Sequence, residues 1–343
     1  MRNKSLLVIG LFLFTTLSSK SQHKPEGFTV MFYNLENFFD TKNDTLSTDE
    51  NYTPEGELHW TFNRFEQKKQ NISKVIMAAG GWKMPDLVVF CEIENRYVID
   101  KLLTDTPLKK TPYKVIHKDS PDHRGIDVAM IYNSDSFYPL DYKYYPLEYK
   151  KGKVATREIL YVTGVVNRTD TLHIFGNHWP SRYSGVLETQ DLRIAAASLL
   201  KGKIDELFRI FVDPKIIILG DFNENPSDGA ITSVLQAEMP GEMIENEQLY
   251  NLSAAWEKPN HGTLKYQSQW YVFDQILVSG ALLSSGHNLQ TKQSDATIVS
   301  LPFLLEDDKK FGGQKPFRTY NGFNYQGGFS DHLPVLLKLT FID

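Results

Sequence analysis

The stretch from Lys215 to Pro226 reads KIIILGDFNENP and places an apolar run directly before a carboxylate and a carboxamide. Its four aliphatic residues, 216–219, are too few for a helix and rich in β-branching, so they predict a buried strand. Asp221 and Asn223 follow two positions apart, a spacing that points both side chains to the same side of an extended chain. Because both residues are also common in turns, the stretch alone fits either a polar active site or a simple turn.

The composition is that of a globular chain with a large core. Of its 343 residues, 41% are hydrophobic, and no repeat or linker divides the sequence, so we expect residues 22–343 to form a single domain. The formal net charge is −5 without a basic tail. Composition therefore does not by itself indicate a nucleic-acid-binding protein, although a bound metal ion can supply a positive field locally. The single cysteine, Cys91, excludes an intrachain disulfide and is expected to be a buried side chain rather than a nucleophile.

Residues 1–21 have the pattern of a signal peptide. Arg2 and Lys4 precede an apolar run over residues 6–17, and small residues follow at 19–21. The run is short for a membrane span, although an uncleaved anchor is the alternative. Removing residues 1–21 takes away three basic residues and no acidic one, which changes the net charge from −5 to −8. We expect an exported, periplasmic or extracellular protein with no membrane insertion after removal of the signal.

Apolar runs alternate with helical patterns along the chain. The patterns predict helices over about 63–79, 98–103 and 191–210, and a surface loop over 41–57. The polar, glycine-rich segment 306–328 predicts a mobile loop. Alternation followed by several adjacent strands favours mixed sheets covered by helices. Strands are predicted over 28–34, 86–90, 113–117, 128–132, 158–167, 171–176, 216–219, 271–278 and 334–339.

Polar side chains recur where these apolar runs end. Active sites of layered α/β proteins gather at strand ends. Carboxylate and carboxamide oxygens suit a hard cation, and histidines suit proton transfer near neutral pH. The recurrence therefore favours a catalytic centre over a set of unrelated turns. Its members are Asn34, Glu92, His178, Asp221, Asn223, Asp331 and His332, together with Asp274, which interrupts the strand predicted over 271–278.

These segments resemble the endonuclease/exonuclease/phosphatase superfamily, the metal-dependent phosphodiesterases that include the pancreatic-type deoxyribonucleases. The resemblance implies a single-domain, four-layer α/β sandwich in which two packed mixed β-sheets are flanked by helices. The matching stretches follow the family's order over about residues 28–340: Tyr33-Asn34, Glu92 in FCEIEN, Asn177-His178-Trp179, Gly220-Asp221-Phe222-Asn223, Asp274 in FDQILVS, and Ser330-Asp331-His332.

The resemblance also implies a metal site and a proton-transfer pair. Glu92 would be the principal ligand of Mg²⁺ (or Mn²⁺ or Ca²⁺), with Asn34 and Asp331 around the same ion. Asp274 would orient His332 to accept a proton. Zinc is disfavoured because neither a Cys-x-x-Cys nor a His-Glu-x-x-His spacing is present.

The remaining matched residues would handle the substrate. By the family's pattern, His178 would hydrogen-bond the phosphate or protonate the leaving oxygen, whereas without the family it fits a loop histidine. Asp221 and Asn223 would hold the attacking water, the phosphate or a second metal. Asn177 and Arg182 are candidate substrate contacts, with a surface salt bridge as the alternative for Arg182. Asp127 is a candidate to orient His178.

The function that follows is a divalent-metal-dependent phosphodiester hydrolase, foremost an exported nuclease cleaving DNA or RNA by direct attack of water. The alternative is a phosphatase or phosphodiesterase acting on a small or lipid-linked phosphate, such as an inositol phosphate or sphingomyelin, because the same fold serves all of these substrates. A third possibility is a binding protein that kept the scaffold without the chemistry. No obligate protein partner is evident.

Overall fold

The structure is a computed structural model that describes residues 27–81, 83–149, 152–153, 155–168, 170–183 and 185–342. The signal peptide predicted over residues 1–21 lies outside this part of the chain. Within it, no helix combines the length and the apolar character that a bilayer span requires.

The three predicted helices are confirmed. They are α1 (Phe62–Ala79), α2 (Arg96–Thr104) and α3 (Gln190–Ile210). The α2 helix begins after Asn95, whose side-chain oxygen accepts a hydrogen bond from Val98 N at 3.2 Å and so satisfies a backbone donor of its first turn.

Strands make up most of the remaining structure. In chain order they are β1 (Phe28–Phe38), β2 (Leu87–Ile93), β3 (Tyr113–Ile116), β4 (Asp127–Asn133), β5 (Phe137–Tyr145), β6 (Glu148–Tyr149), β7 (Gly152–Lys153), β8 (Ile159–Val166), β9 (Asp170–His178), β10 (Lys215–Asp221), β11 (Ala237–Glu238), β12 (Leu249–Asn251), β13 (Leu264–Tyr266), β14 (Gln269–Tyr271), β15 (Asp274–Ser279), β16 (Leu289–Gln290), β17 (Ala296–Ile298), β18 (Leu305–Asp307), β19 (Gln314–Pro316), β20 (Tyr320–Asn321), β21 (Asn324–Tyr325) and β22 (Val335–Phe341).

Two mixed sheets dominate the fold. The first has the strand order β16-β22-β1-β2-β4-β3, with β17 also paired to β22, and the second has the order β11-β12-β15-β10-β9-β8-β5. In each sheet a central pair is parallel, β1 with β2 and β10 with β9, while most neighbouring pairs are antiparallel. Sheets of this mixed kind are expected when helices cover their outer faces.

Alternation along β10 shows how the layers pack. Ile217 and Leu219 face the first sheet, where they join a buried core with residues of β1 and β2. Ile216 and Ile218 point the other way, against the apolar side of α3. The helices α1 and α2 cover the outer face of the first sheet in the same manner. The sheets approach closely at Gly176, where a Cβ would lie 2.8 Å from the Val89 side chain. The predicted four-layer sandwich is confirmed.

Several predicted boundaries differ from the structure. Residues 271–278 are not one strand, because Val272 N donates to Asn225 Oδ1 at 3.0 Å instead of continuing a ladder. Asp274 is therefore the first residue of β15 and does not interrupt it. Strand β1 continues past Asn34, with an irregular register up to Phe38. The prediction of a loop over 306–328 is wrong in part, since the short hairpins β18–β19 and β20–β21 lie in or overlap this segment.

Candidate active site

The strand register brings three predicted residues to one edge of the second sheet. Asp221, at the end of β10, lies opposite His178 of the parallel strand β9 and opposite Asp274 of the antiparallel strand β15. His178 Nε2 is 3.7 Å from Asp221 Oδ2. The carboxyl ends of parallel strands share an edge, and the amino end of an antiparallel strand meets them there. The active-site interpretation of the stretch at Lys215 is therefore favoured over the turn.

His332 and Asp274 form a buried pair beside Asp221. His332 Nδ1 lies 2.7 Å from Asp274 Oδ2, and because a carboxylate only accepts, Nδ1–H is the donor. The other ring nitrogen, Nε2, is directed towards Asp221 Oδ2 at 3.9 Å. Burial lowers the pKa of His332, but the carboxylates of Asp274 and Asp221 outweigh it, so the pKa is raised well above its ordinary value.

Ser330 fixes the loop that carries His332. Its hydroxyl donates to Asn34 O at 2.8 Å and accepts from His332 N at 3.1 Å. These two bonds tie the segment before β22 to strand β1 of the same sheet. The imidazole is therefore placed by backbone contacts as well as by its carboxylate partner.

Asp221 is the centre of the polar cluster. Its Oδ1 accepts from Asn223 N at 3.0 Å, and its Oδ2 accepts from Asn34 Nδ2 at 3.1 Å. Burial raises the pKa of Asp221 to about 7, and His332 opposes that rise. Asn223 has a left-handed backbone, with φ 50°, and its amide donates to Trp179 O at 3.2 Å. The Asn223 amide thus binds the backbone beside the cluster, and its role in holding water, phosphate or a second metal stays a prediction.

Glu92 enters the cluster from the first sheet through a local irregularity. The pairing of β2 with β4 shifts between Cys91 and Ile93, and Glu92 has φ 59°. Such bulges re-aim a side chain at the end of a strand. Glu92 Oε2 accepts from Asn37 N at 3.0 Å, while Oε1 lies 3.8 Å from His178 Nε2.

His178 is held as a neutral imidazole. Burial lowers its pKa well below the ordinary value, and the positive charges of Arg157 and Arg124 lower it further. Among the described residues its Nδ1 has no hydrogen-bond partner, although it is buried. A neutral imidazole keeps one N–H, and from Nε2, the nitrogen that faces Glu92 and Asp221, it can donate to a phosphoryl oxygen.

Asp331 completes the cluster on the side of the first sheet. Its Oδ1 is 4.0 Å from His332 Nε2, and its Oδ2 accepts from Arg318 Nη2 at 2.9 Å. Arg318 also donates to Glu36 at 3.2 Å. Burial raises the pKa of Glu36 to about 6, and the nearby Lys68 and Arg318 counteract the rise. Sequence reasoning missed Glu36 and Arg318; the position of Glu36, two residues after Asn34, was the available signal.

The oxygen donors of the cluster fit a hard divalent cation. Glu92 Oε1 and Asp331 Oδ1 accept no hydrogen bond from the described residues, so both keep free lone pairs. Asn34 Oδ1 accepts only from Glu36 N, at 2.9 Å, and keeps a second lone pair. Mg²⁺ is bound through one or two carboxylates and retains several waters. The donor set predicted for the metal has the chemistry that such an ion needs.

A second group of ligating side chains lies on the connection between β3 and β4 and on the first residue of β4. His117, Asp119 and Asp127 offer ligand atoms within 4.8 Å of one another. His117 Nε2 is 2.8 Å from Asp127 Oδ2, which explains the burial of this pair without an ion. The hypothesis that Asp127 orients His178 is therefore wrong, because its carboxylate is bound by His117 and by Ser120 N at 2.7 Å.

The two predicted substrate contacts do not join the cluster. Asn177 is fully buried and accepts from Trp179 Nε1 at 3.1 Å, since neighbouring residues of β9 point to opposite faces. Arg182 donates to Asn223 O at 2.6 Å and forms ion pairs with Glu224 and Asp228 at 2.8 and 2.5 Å. The salt-bridge alternative for Arg182 is the one the structure shows. As placed, neither residue reaches into the cleft.

Comparison with known proteins agrees with this fold. A sequence model described as "Endonuclease/Exonuclease/phosphatase family" matches residues 29–340. No curated protein sequence matches the chain. Solved structures with the same fold include the Bacteroides thetaiotaomicron mannosyl-6-phosphatase Bt3783 (16% identity, 92% of this chain and 100% of that chain, TM-score 0.57). The catalytic domain of human Nocturnin (16% identity, 92% and 95%, TM-score 0.55) and truncated Caenorhabditis elegans TDP2 (15% identity, 92% and 97%, TM-score 0.54) are similar to the same extent.

Proposed function

The chain belongs to the endonuclease/exonuclease/phosphatase family, and on that premise we propose that it is a divalent-metal-dependent phosphodiester hydrolase that cleaves nucleic acid. The observation that carries the proposal is the buried His332–Asp274 pair, whose free ring nitrogen is directed towards Asp221 in the same cluster as His178. A histidine backed by a carboxylate is suited to take a proton from water.

Each residue of the cluster has a chemical task in this proposal. Glu92, Asp331 and Asn34 would hold the cation, which when bound neutralises charge on the phosphoryl and leaving oxygens. Asp221 positions the attacking water, and His332 Nε2 accepts its proton in the unprotonated imidazole, the form that becomes more populated as the pH approaches the raised pKa of His332. Asp274 stabilises the imidazolium that results. His178, kept neutral by burial and by two arginines, hydrogen-bonds a phosphoryl oxygen as negative charge develops there. Direct attack by water requires no covalent intermediate on the enzyme.

A second substrate class, small phosphate esters, is favoured by the acidity of the loop after β1. Asp40 N donates to Glu94 Oε2 at 2.5 Å, and the Asp49 carboxylate accepts from Asp44 N at 3.0 Å. Long polyanions favour basic surfaces. The loop after β1 carries Asp40, Asp44 and Asp49, and these carboxylates are better tolerated by a substrate with a single phosphate.

A substrate panel tests both candidates. Purified protein would be assayed with Mg²⁺ or Mn²⁺, and with EDTA, on plasmid DNA, RNA, sphingomyelin and sugar or inositol phosphates, beside His332→Ala. We expect metal-dependent cleavage of nucleic acid that the variant loses. Cleavage of sugar or inositol phosphates alone would establish the second candidate instead. Activity that survives both EDTA and the substitution would contradict the mechanism.

Export is a separate proposal, supported by the signal-like pattern of residues 1–21. Fractionation of cells that produce the full chain with a C-terminal tag tests it. Export and cleavage predict a shortened product outside the cytoplasm, whereas a full-length cytoplasmic product would contradict it.

A further inference from the structure

The connection between β3 and β4, residues 117–126, lies at the active-site edge. It leads into Asp127, which pairs with Ile93, directly after the metal-ligand candidate Glu92. Thr48 of the loop 41–57 donates to His123 O through both its backbone nitrogen, at 2.8 Å, and its hydroxyl, at 3.0 Å. These bonds join two active-site loops and fix the backbone beside Arg124.

The guanidinium of Arg124 is held at one end only. Its Nε is 3.6 Å from Asp122 Oδ1, the oxygen that also accepts from Arg124 N at 3.0 Å. The side chain is 37% exposed. Among the residues that the structure describes, no other group forms a hydrogen bond or ion pair with it. Its two terminal nitrogens are therefore free to bind a ligand.

Asp122 connects Arg124 to the neighbourhood of His178. Its Oδ2 accepts from the buried Arg157 at 2.8 Å, and Arg157 Nη2 donates to Trp179 O at 2.9 Å, the carbonyl adjacent in sequence to His178. Arg157 Nε is buried without a partner among the described residues.

We propose that Arg124 binds a non-bridging phosphoryl oxygen of the substrate on the His178 side of the cleft. The planar guanidinium suits phosphate oxygens, and Asp122 restrains its Nε so that the terminal nitrogens are presented to the ligand. Arg182, which the sequence offers as a candidate phosphate contact, is already bound by Glu224 and Asp228. The assignment rests on the proposed phosphoric ester hydrolysis and adds a substrate-binding residue to it.

Steady-state kinetics of Arg124→Gln and Arg124→Lys test the assignment, with inorganic phosphate as a competitive inhibitor. The matched control is Arg168→Gln, which removes the same charge from the exposed turn between β8 and β9, at the opposite edge of the sheet. We expect Arg124→Gln to raise KM and the phosphate inhibition constant in parallel by about 10- to 100-fold, the effect of losing a charged hydrogen bond. Arg124→Lys should recover part of the loss, and Arg168→Gln should keep the KM and the inhibition constant of the unsubstituted protein.

Two results would overturn the assignment. One is a KM and an inhibition constant within twofold of the unsubstituted protein, and the other is a fall in kcat alone with both constants unchanged. If the unsubstituted protein hydrolyses no phosphate ester, the proposed function fails. Calorimetric binding of inorganic phosphate in Mg²⁺ then still tests Arg124, because weaker binding by Arg124→Gln supports the contact and equal binding excludes it.

Discussion

Replacing Asp274 with asparagine keeps the size of a fully buried side chain and removes its charge. At the observed 2.7 Å between Asp274 Oδ2 and His332 Nδ1, two unit charges attract by about 6 kcal/mol at an effective dielectric of 20. Desolvation of both groups offsets much of this attraction. An asparagine amide can also donate to Nδ1, which moves the ring proton to Nε2, where His332 can no longer accept a proton from water.

We expect Asp274→Asn to lower kcat by about 10²- to 10⁴-fold, the usual contribution of a positioned general base. This loss corresponds to about 3–5 kcal/mol of transition-state stabilisation. The assay is kcat and KM on the substrate that the panel identifies, with the far-ultraviolet circular dichroism spectrum as a check of folding.

Asp170→Asn provides the matched control for Asp274→Asn. Asp170 is also a buried aspartate, with an ion pair to Lys215 at 2.8 Å. Asp170 is the first residue of β9 and His178 is the last, so the two residues lie about 25–30 Å apart along the strand. The reasoning is refuted if a folded Asp274→Asn protein keeps kcat within threefold of the unsubstituted protein, or if Asp170→Asn loses as much activity.

Three further predictions concern His178, His173 and Ile217. His178→Ala should lower kcat by about 10²- to 10³-fold with little change in KM, the effect of losing one donor to the developing charge. A rise in KM as large as the fall in kcat would contradict this prediction. Burial lowers the pKa of His173 to about 4, below its unfolded value of about 6.5, so the unfolded chain binds the proton more tightly between these values. Between pH 7 and pH 5, the free energy of unfolding measured in urea should fall by about 2 kcal/mol more for the unsubstituted protein than for His173→Gln. Equal falls in the two proteins would contradict the lowered pKa of His173. Ile217→Ala should lower the free energy of unfolding by about 2–5 kcal/mol, because Ile217 is buried between the sheets; a loss below 1 kcal/mol would contradict that packing.

The fold and the centre of the site could be predicted because buried strands leave a local signal. Runs such as residues 216–219 are apolar and β-branched, and the polar residue after each run lies at the edge where the strands meet. The register that sets Asp221 between His178 and Asp274 is not local, since it depends on pairing across three strands. The resemblance to a known family supplied that part.

The contacts around the centre could not be predicted for the same reason. Arg318 reaches Glu36 across 282 residues of sequence, and Arg157 reaches Asp122 across 35, both from segments without a periodic pattern. Asn177 is a different case, because strand alternation alone shows that it cannot face the same side as His178. Its assignment as a substrate contact followed the motif and neglected the geometry of the strand.

The central claim is that strand ends from both sheets form one metal-dependent hydrolytic centre. The most direct measurement is the rate of phosphate ester hydrolysis as a function of added Mg²⁺, for the unsubstituted protein and for Glu92→Gln, which changes the first sheet's contribution alone. We predict that activity is absent in EDTA, saturates with Mg²⁺, and requires a clearly higher Mg²⁺ concentration in the variant. An identical Mg²⁺ dependence in both proteins would contradict the claim, because Glu92 would then have no part in the centre built around Asp221 and His332.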